Sequence, residues 1–202
     1  MPTRVSMPAE EAVLVATIIG APSLRVTGDE FGLDCRTPGG GFQLSPSDEV
    51  GAVAPGHPEE VVRVGVSPLT AEGEAQESGI SVSVHEPVTR VTVLRTAVWF
   101  SAPRPAGETV IRDVVVPPGR QIDVHLGRPS VPAPVGFPEA GCNVVDAALC
   151  FYFAGGGVLV VGTDGWSYRL EVADGAEARA WIGESEEVSL DHVAAGIREA
   201  AG

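Results

Sequence analysis

The residue types that do chemistry are sparse in this chain and stand apart from one another. Four histidines (His57, His85, His125 and His192) occur singly, with no CxxC or HxxxH spacing, so the ligand sets that hold zinc do not form along the sequence. Nucleophilic catalysis needs a serine or cysteine beside a base. No G-x-S-x-G elbow is present, and Cys150, between Leu149 and Phe151, sits in an apolar run that keeps a thiol protonated. The triplets Gly39-Gly40-Gly41 and Gly155-Gly156-Gly157 are not followed by Lys-Ser/Thr and do not open a helix, so they read as hairpin turns and not as phosphate loops. Asp113, Asp123, Asp146 and Asp164 could supply a carboxylate pair, but each falls at a strand end or turn, where aspartate occurs without a catalytic role. The sequence therefore predicts a non-enzymatic protein with no catalytic residue, metal or cofactor.

One stretch carries a different chemistry. From Glu171 to Asp191 there are seven acids (Glu171, Asp174, Glu177, Glu184, Glu186, Glu187 and Asp191) against one arginine, Arg179, and Trp166, Tyr168 and Trp181 lie within or beside it. Rings supply contact area and an anionic field steers a cationic partner, which together make a binding face for a basic protein. The candidate partner-binding residues are Trp166, Tyr168, Trp181, Glu184, Glu186 and Glu187. The competing reading is a solvated rim with the tryptophans buried beneath it.

The whole chain shares that charge. Its 202 residues carry a formal net charge of -14 and a pI of about 4.6, so nucleic acid and anionic membrane surfaces are excluded as partners by repulsion. The apolar fraction of 44% suits a globular protein with a sizeable core. Every basic residue is arginine, and Asn143 is the single asparagine, the pattern of a GC-rich coding sequence. The apolar run at residues 12–19 is far below the roughly 20 residues a membrane helix needs, and Glu10 and Glu11 precede it, against the charge order of a signal peptide. The chain is read as cytoplasmic, with Cys35, Cys142 and Cys150 as free thiols.

Positioning these residues falls mostly to β-structure. Residues 6–19 read as a helix, with Pro8 in the first turn, Glu10 and Glu11 at the positive end of the dipole, and a stop at Gly20 and Pro22; the β-branched content also suits a strand. A hairpin follows, with residues 24–26, a turn at Gly28-Asp29, residues 31–35, the first glycine triplet and residues 42–44. Residues 45–60 and 70–79 read as exposed loops. Strands are expected at 61–66, 80–84, 88–101, 109–116 and 121–126, with Val91, Val93, Arg95 and Ala97 sharing a face. Residues 129–141 read as a surface crossing. Residues 144–153 and 158–161 form the second glycine hairpin, and a turn at Thr163-Asp164-Gly165 returns residues 166–172 as a third strand. Ser189 caps a terminal amphipathic helix built on Leu190, Val193, Ala194 and Ile197.

Internal likeness shapes the domain reading. Ile19-Gly20-Ala21-Pro22-Ser23 and Leu126-Gly127-Arg128-Pro129-Ser130 each lead to a cysteine-bearing stretch and a glycine triplet. The expected fold is mainly β (α+β), with two similar antiparallel β half-domains over residues 1–102 and 108–202, a C-terminal amphipathic helix and an N-terminal helix.

The tract Leu126-Gly127-Arg128-Pro129, then Leu149-Cys150-Phe151-Tyr152-Phe153 and Gly156-Gly157-Val158-Leu159, resembles a motif of small bacterial immunity-type and inhibitor modules. There an L-G-x-P turn precedes an aromatic strand, a glycine turn and a second strand. The two copies are similar to inhibitor proteins built from such modules in tandem. The resemblance implies a protein that caps a basic toxin or nuclease by occlusion, and it carries no individual residue role across. The alternative reading is a structural subunit of a phage or phage-like particle from a high-GC bacterial host, whose partner is a copy of itself.

Overall fold

The computed structural model of the chain describes residues 3–54, 57–69, 79–99, 109–111, 114–116, 142–163, 165 and 168–200. The readings at 70–78, 103–107, 121–126 and 129–141, and the candidate residue Trp166, lie outside them. Strand β1 (Thr3–Val5) leads into helix α1 (Ala9–Ala16), which follows Pro8 and carries Glu10 and Glu11 in its first turn. The chain leaves the helix through Gly20 at φ +89°, a left-handed backbone open to glycine at no Cβ cost. Five strands follow: β2 (Leu24–Asp29), β3 (Gly32–Thr37), β4 (Gly40–Ala54), β5 (His57–Pro68) and β6 (Ile80–Val84). After them come β7 (Val88–Trp99), β8 (Thr109–Ile111), β9 (Val114–Val116), β10 (Cys142–Phe153), β11 (Val158–Gly162) and β12 (Glu171–Asp174). Helix α2 (Gly175–Gly183), strand β13 (Glu186–Ser189) and helix α3 (Leu190–Ala200) complete the order.

The protein is mainly β, built on two antiparallel sheets with helices near both ends. One sheet has the order β5-β4-β3-β2-β6 and the other β12-β11-β10-β7-β13, with β1 added to β10 in parallel; β8 and β9 pair with each other. Strands sort by sheet and not by position in the chain: β7 pairs along its length with β10, so β1 and β7 share a sheet with the strands that follow residue 141.

Several local readings shift. Residues 45–60 are not a loop, because β4 and β5 run through them as one long hairpin, with Pro46 opposite Val64 and Pro58 opposite Ala52. Pairing of β4 with β3 ends at Leu44, and β5 is the end strand of its sheet. Each proline therefore sits where its strand pairs on one side only, and the missing N–H costs no ladder bond. The first hairpin turns at Glu30-Phe31, two residues beyond Gly28-Asp29, since Asp29 pairs with Gly32. The third strand of the second hairpin is β12, four residues long, and not the whole of 166–172. Residues 109–116 form two short strands, β8 and β9, rather than one.

The main core lies between the sheets. Leu33, Phe42 and Leu44 from one sheet meet Val93, Leu149 and Phe151 from the other, and α1, the turn after it and α3 add Val15, Ile18, Leu190 and Val193. Burying each such side chain contributes about 1.5–3 kcal/mol. The β7–β10 sheet is covered on both faces: Leu94, Ala148, Cys150 and Val160 point the other way, under Ala178 and Trp181 of α2. Hence Val91 through Arg95 are all buried, where alternation alone predicts one wet face.

Two buried ion pairs fix how the elements meet. Arg95 donates to Asp146 (2.6 Å) and the Met7 N–H donates to the other carboxylate oxygen (2.8 Å), beside a register shift after Asp146. Glu11 of α1 takes both terminal nitrogens of Arg63 and the Val66 N–H of β5. Burying charge is costly, so such pairs specify geometry more than they add stability, and removing one partner is severe. Asp146→Asn should therefore cost about 3–5 kcal/mol, measured by urea unfolding, because Arg95 is left charged and buried. An unchanged midpoint would show that the pair does not anchor β7 to β10.

Candidate functional site

The described candidate residues lie on α2, on β13 and in the segment before β12. Helix α2 begins and ends in glycine and has no broad apolar stripe; it lies on the sheet through Ala178 and Trp181. Trp181 is 6% exposed, so its ring supports the layer from within. Glu184 caps the C-terminus of α2 and is exposed. Glu186 is exposed at the start of β13, opposite Arg95 in register. Tyr168 is 43% exposed in the segment before β12.

Glu187 occupies a structured position. The Tyr152 hydroxyl donates to its Oε2 at 2.8 Å, and Arg90 reaches its Oε1 at 3.2 Å. The Arg90 guanidinium also lies over the Tyr152 ring, 3.9 Å from its centroid, a cation–π contact whose cation is simultaneously neutralised. Sequence reasoning placed Tyr152 in an apolar run and passed over Arg90. The signal was their shared parity: Arg90 and Tyr152 pair directly across β7 and β10, on the face opposite Val91 and Phe151. Beside them is a cleft of about 560 Å³ whose lining includes Ala16, Ile19, Arg90, Thr92, Glu187 and Leu190.

The titratable groups beneath are kept neutral. Burial pushes the Cys150 thiol up to about 11; the neighbouring Tyr152 hydroxyl opposes this, Glu187 adds to it, and Arg90 and Thr92 oppose it. Burial, then hydrogen bonding with Cys150 and Glu187, raises the Tyr152 phenol as well. Cys35 is fully buried and raised by the same desolvation, with Asp34 adding to it. Both cysteines are free; the Cys142 side chain lies outside the described residues. The Thr92 hydroxyl is buried with no hydrogen-bond partner among those residues.

The other candidates for chemistry that the structure describes stand apart from one another. Asp146 is spent on Arg95 and Met7, and Asp113, Asp123 and Asp164 lie outside the described residues. His85 and His192 are exposed on separate elements. Among the described residues no group of three or more His, Cys, Asp or Glu is placed to hold a metal ion, and no helix is long and apolar enough to cross a membrane. The second glycine triplet turns β10 into β11 with Gly156 at φ +81°, and its Gly155 N–H already donates to the Glu86 carboxylate at 2.8 Å. Comparison with protein-family models, curated proteins and solved structures finds no match for this chain.

Two outcomes follow. Trp181→Ala should cost about 3–5 kcal/mol in urea unfolding, as for a core ring; a fully stable variant would place the ring outside the core. Folding holds Cys150 protonated up to about 11 while the unfolded thiol ionises near 9.0. Its stabilising contribution is thus present below pH 9.0 and is lost as pH rises toward 11. Urea unfolding across that window should show wild type losing more stability than Cys150→Ala, and parallel losses would contradict the assignment.

Proposed function

We propose that this chain is a non-enzymatic, cytoplasmic protein-binding module whose acidic outer layer caps a basic partner, as an immunity or inhibitor protein caps a toxin or nuclease. The observation that carries this reading is the placement of the seven acids. Glu171 and Asp174 on β12, Glu177 and Glu184 on α2 and its cap, Glu186 and Glu187 on β13, and Asp191 at the start of α3 are all exposed, while Ala173, Ala178, Trp181, Val188 and Leu190 between them are buried. β12 and β13 are the two ends of a five-strand path, so the acids span roughly 19 Å at about 4.8 Å per strand. That width suits a standard interface of about 800 Å² per side.

Exposed carboxylates add little to stability, so their concentration here is better explained by association, where a field of one sign accelerates encounter with the opposite sign. Carboxylates would take the place of phosphates in a cationic cleft of the partner. The free, buried thiols suit a reducing compartment. Because Glu187 is bonded to Arg90 and Tyr152, the steering charge is assigned to Glu184 and Glu186.

The double variant Glu184→Arg/Glu186→Arg isolates that charge. Affinity capture from an extract of the source organism supplies the partner, and stopped-flow association with it supplies the rate. The variant should melt as wild type does, yet associate about tenfold more slowly at low salt, with the gap closing as the Debye length falls to about 8 Å. Capture of the same partner at an unchanged low-salt rate would remove the reading's physical support.

A further inference from the structure

We infer that the far edge of β6 pairs antiparallel with β6 of a second copy of this chain, joining two sheets into one across a two-fold axis at Val82. This goes beyond the acidic-interface reading and does not depend on it. β6 (Ile80–Val84) ends its sheet, with β2 on its inner side. Among the described residues no hydrogen bond reaches its far side. Ser81 and Ser83 are exposed, while Ile80, Val82 and Val84 are half-buried at the margin of the main core. The core is therefore unfinished along β6.

Strand parity shows which backbone groups face outward. Asp29 and Gly32 flank a two-residue turn, as do Thr37 and Gly40, so each is a hydrogen-bonded pair. Counting by twos from Asp29, it is Thr27 and Arg25 that bond β3, and Leu24, Val26 and Gly28 that bond Val84, Val82 and Ile80 of β6. Ser81 and Ser83 thus direct their N–H and C=O away from the sheet, which is the template an added strand needs.

Self-complementarity selects the occupant. Run antiparallel about Val82, the sequence Ile-Ser-Val-Ser-Val sets Ser81 opposite Ser83 of the second copy and Ile80 opposite its Val84. Serine meets serine on the wet face, and apolar residues meet on the core face. The serine pairs exchange the outward backbone bonds, and a two-fold axis closes the assembly at two chains. Other end strands are guarded against such pairing. β5 carries Pro58 and Pro68, and its Val62 and Val66 N–H groups already donate to the Gly165 carbonyl and the Glu11 carboxylate. β12 and β13 would bring acids against acids. β6 holds neither charge nor proline.

An edge of five residues is smaller than a standard interface, so the dimer belongs to high protein concentration. Two copies at -14 each repel, so pairing should tighten as salt rises, opposite to capture of a basic partner. Sedimentation equilibrium from about 10 μM to about 1 mM reads both effects. The mass should rise from 20.8 kDa toward twice that value, and further at high salt. Ser83→Pro removes an outward N–H without breaking the β2 ladder, so it should melt as wild type does and pair at least about tenfold more weakly. Val82→Lys sets like charges together at the axis and should do the same, which decides the matter if the proline variant unfolds. Glu184→Arg/Glu186→Arg should still dimerise. A wild type that stays monomeric at about 1 mM and high salt, a mass that climbs past the dimer, or a dimer that both β6 variants leave intact overturns the inference.

Discussion

The pairing of β7 with β10 is the constraint on which the rest of the structure depends. Eleven residue pairs join Val88–Trp99 to Cys142–Phe153, strands with more than forty residues of chain between them. Closing so long a loop is entropically costly, and the two strands offset it by burying both faces. Val91, Val93, Leu149 and Phe151 pack toward the first sheet, and Leu94, Ala148 and Cys150 pack under α2. Asp146 and Arg95 lock the register where a shift would otherwise turn the core face outward.

The outer layer follows from that pairing. β13 adds to the free edge of β7 through residues 92–95, and β12 reaches the sheet through β11. α2 bridges between them, held by Trp181 and Ala178. Ala173, Ala178 and Trp181 of this layer are buried, and its acids are exposed. The proposed interface is thus charge carried on a rigid backing.

Much of the architecture was legible because it is local. The alternation of Ile80, Val82 and Val84 with serines describes β6 as it stands, and the Ser189 side chain does accept the His192 N–H to cap α3. The second glycine triplet marks a hairpin for a backbone reason written in glycine itself. What failed was decided by distant partners. α2 pairs glycine ends with small alanines, so only its docking onto Val160 and Ala173 makes it a buried helix. β13 is too short for periodicity to register. Pro46 and Pro58 suggest a loop until their open edges are known. Trp181 and the glutamates beside it read as one face, yet tertiary packing sends the ring inward and the charges out. Phe31 looked like the first residue of a strand, and its exposure depends on where the turn falls.

Native-state hydrogen exchange resolved by residue measures the central constraint most directly. If β7 and β10 hold one core together, their amides at Val91–Leu94 and Ala148–Phe151 should be the slowest in the protein and should exchange together, in a single step with global unfolding. Amides of α2 and β13 should open earlier. Exchange of β7 with the β2–β6 sheet in one step and of β10 in a separate, independent step would contradict this account.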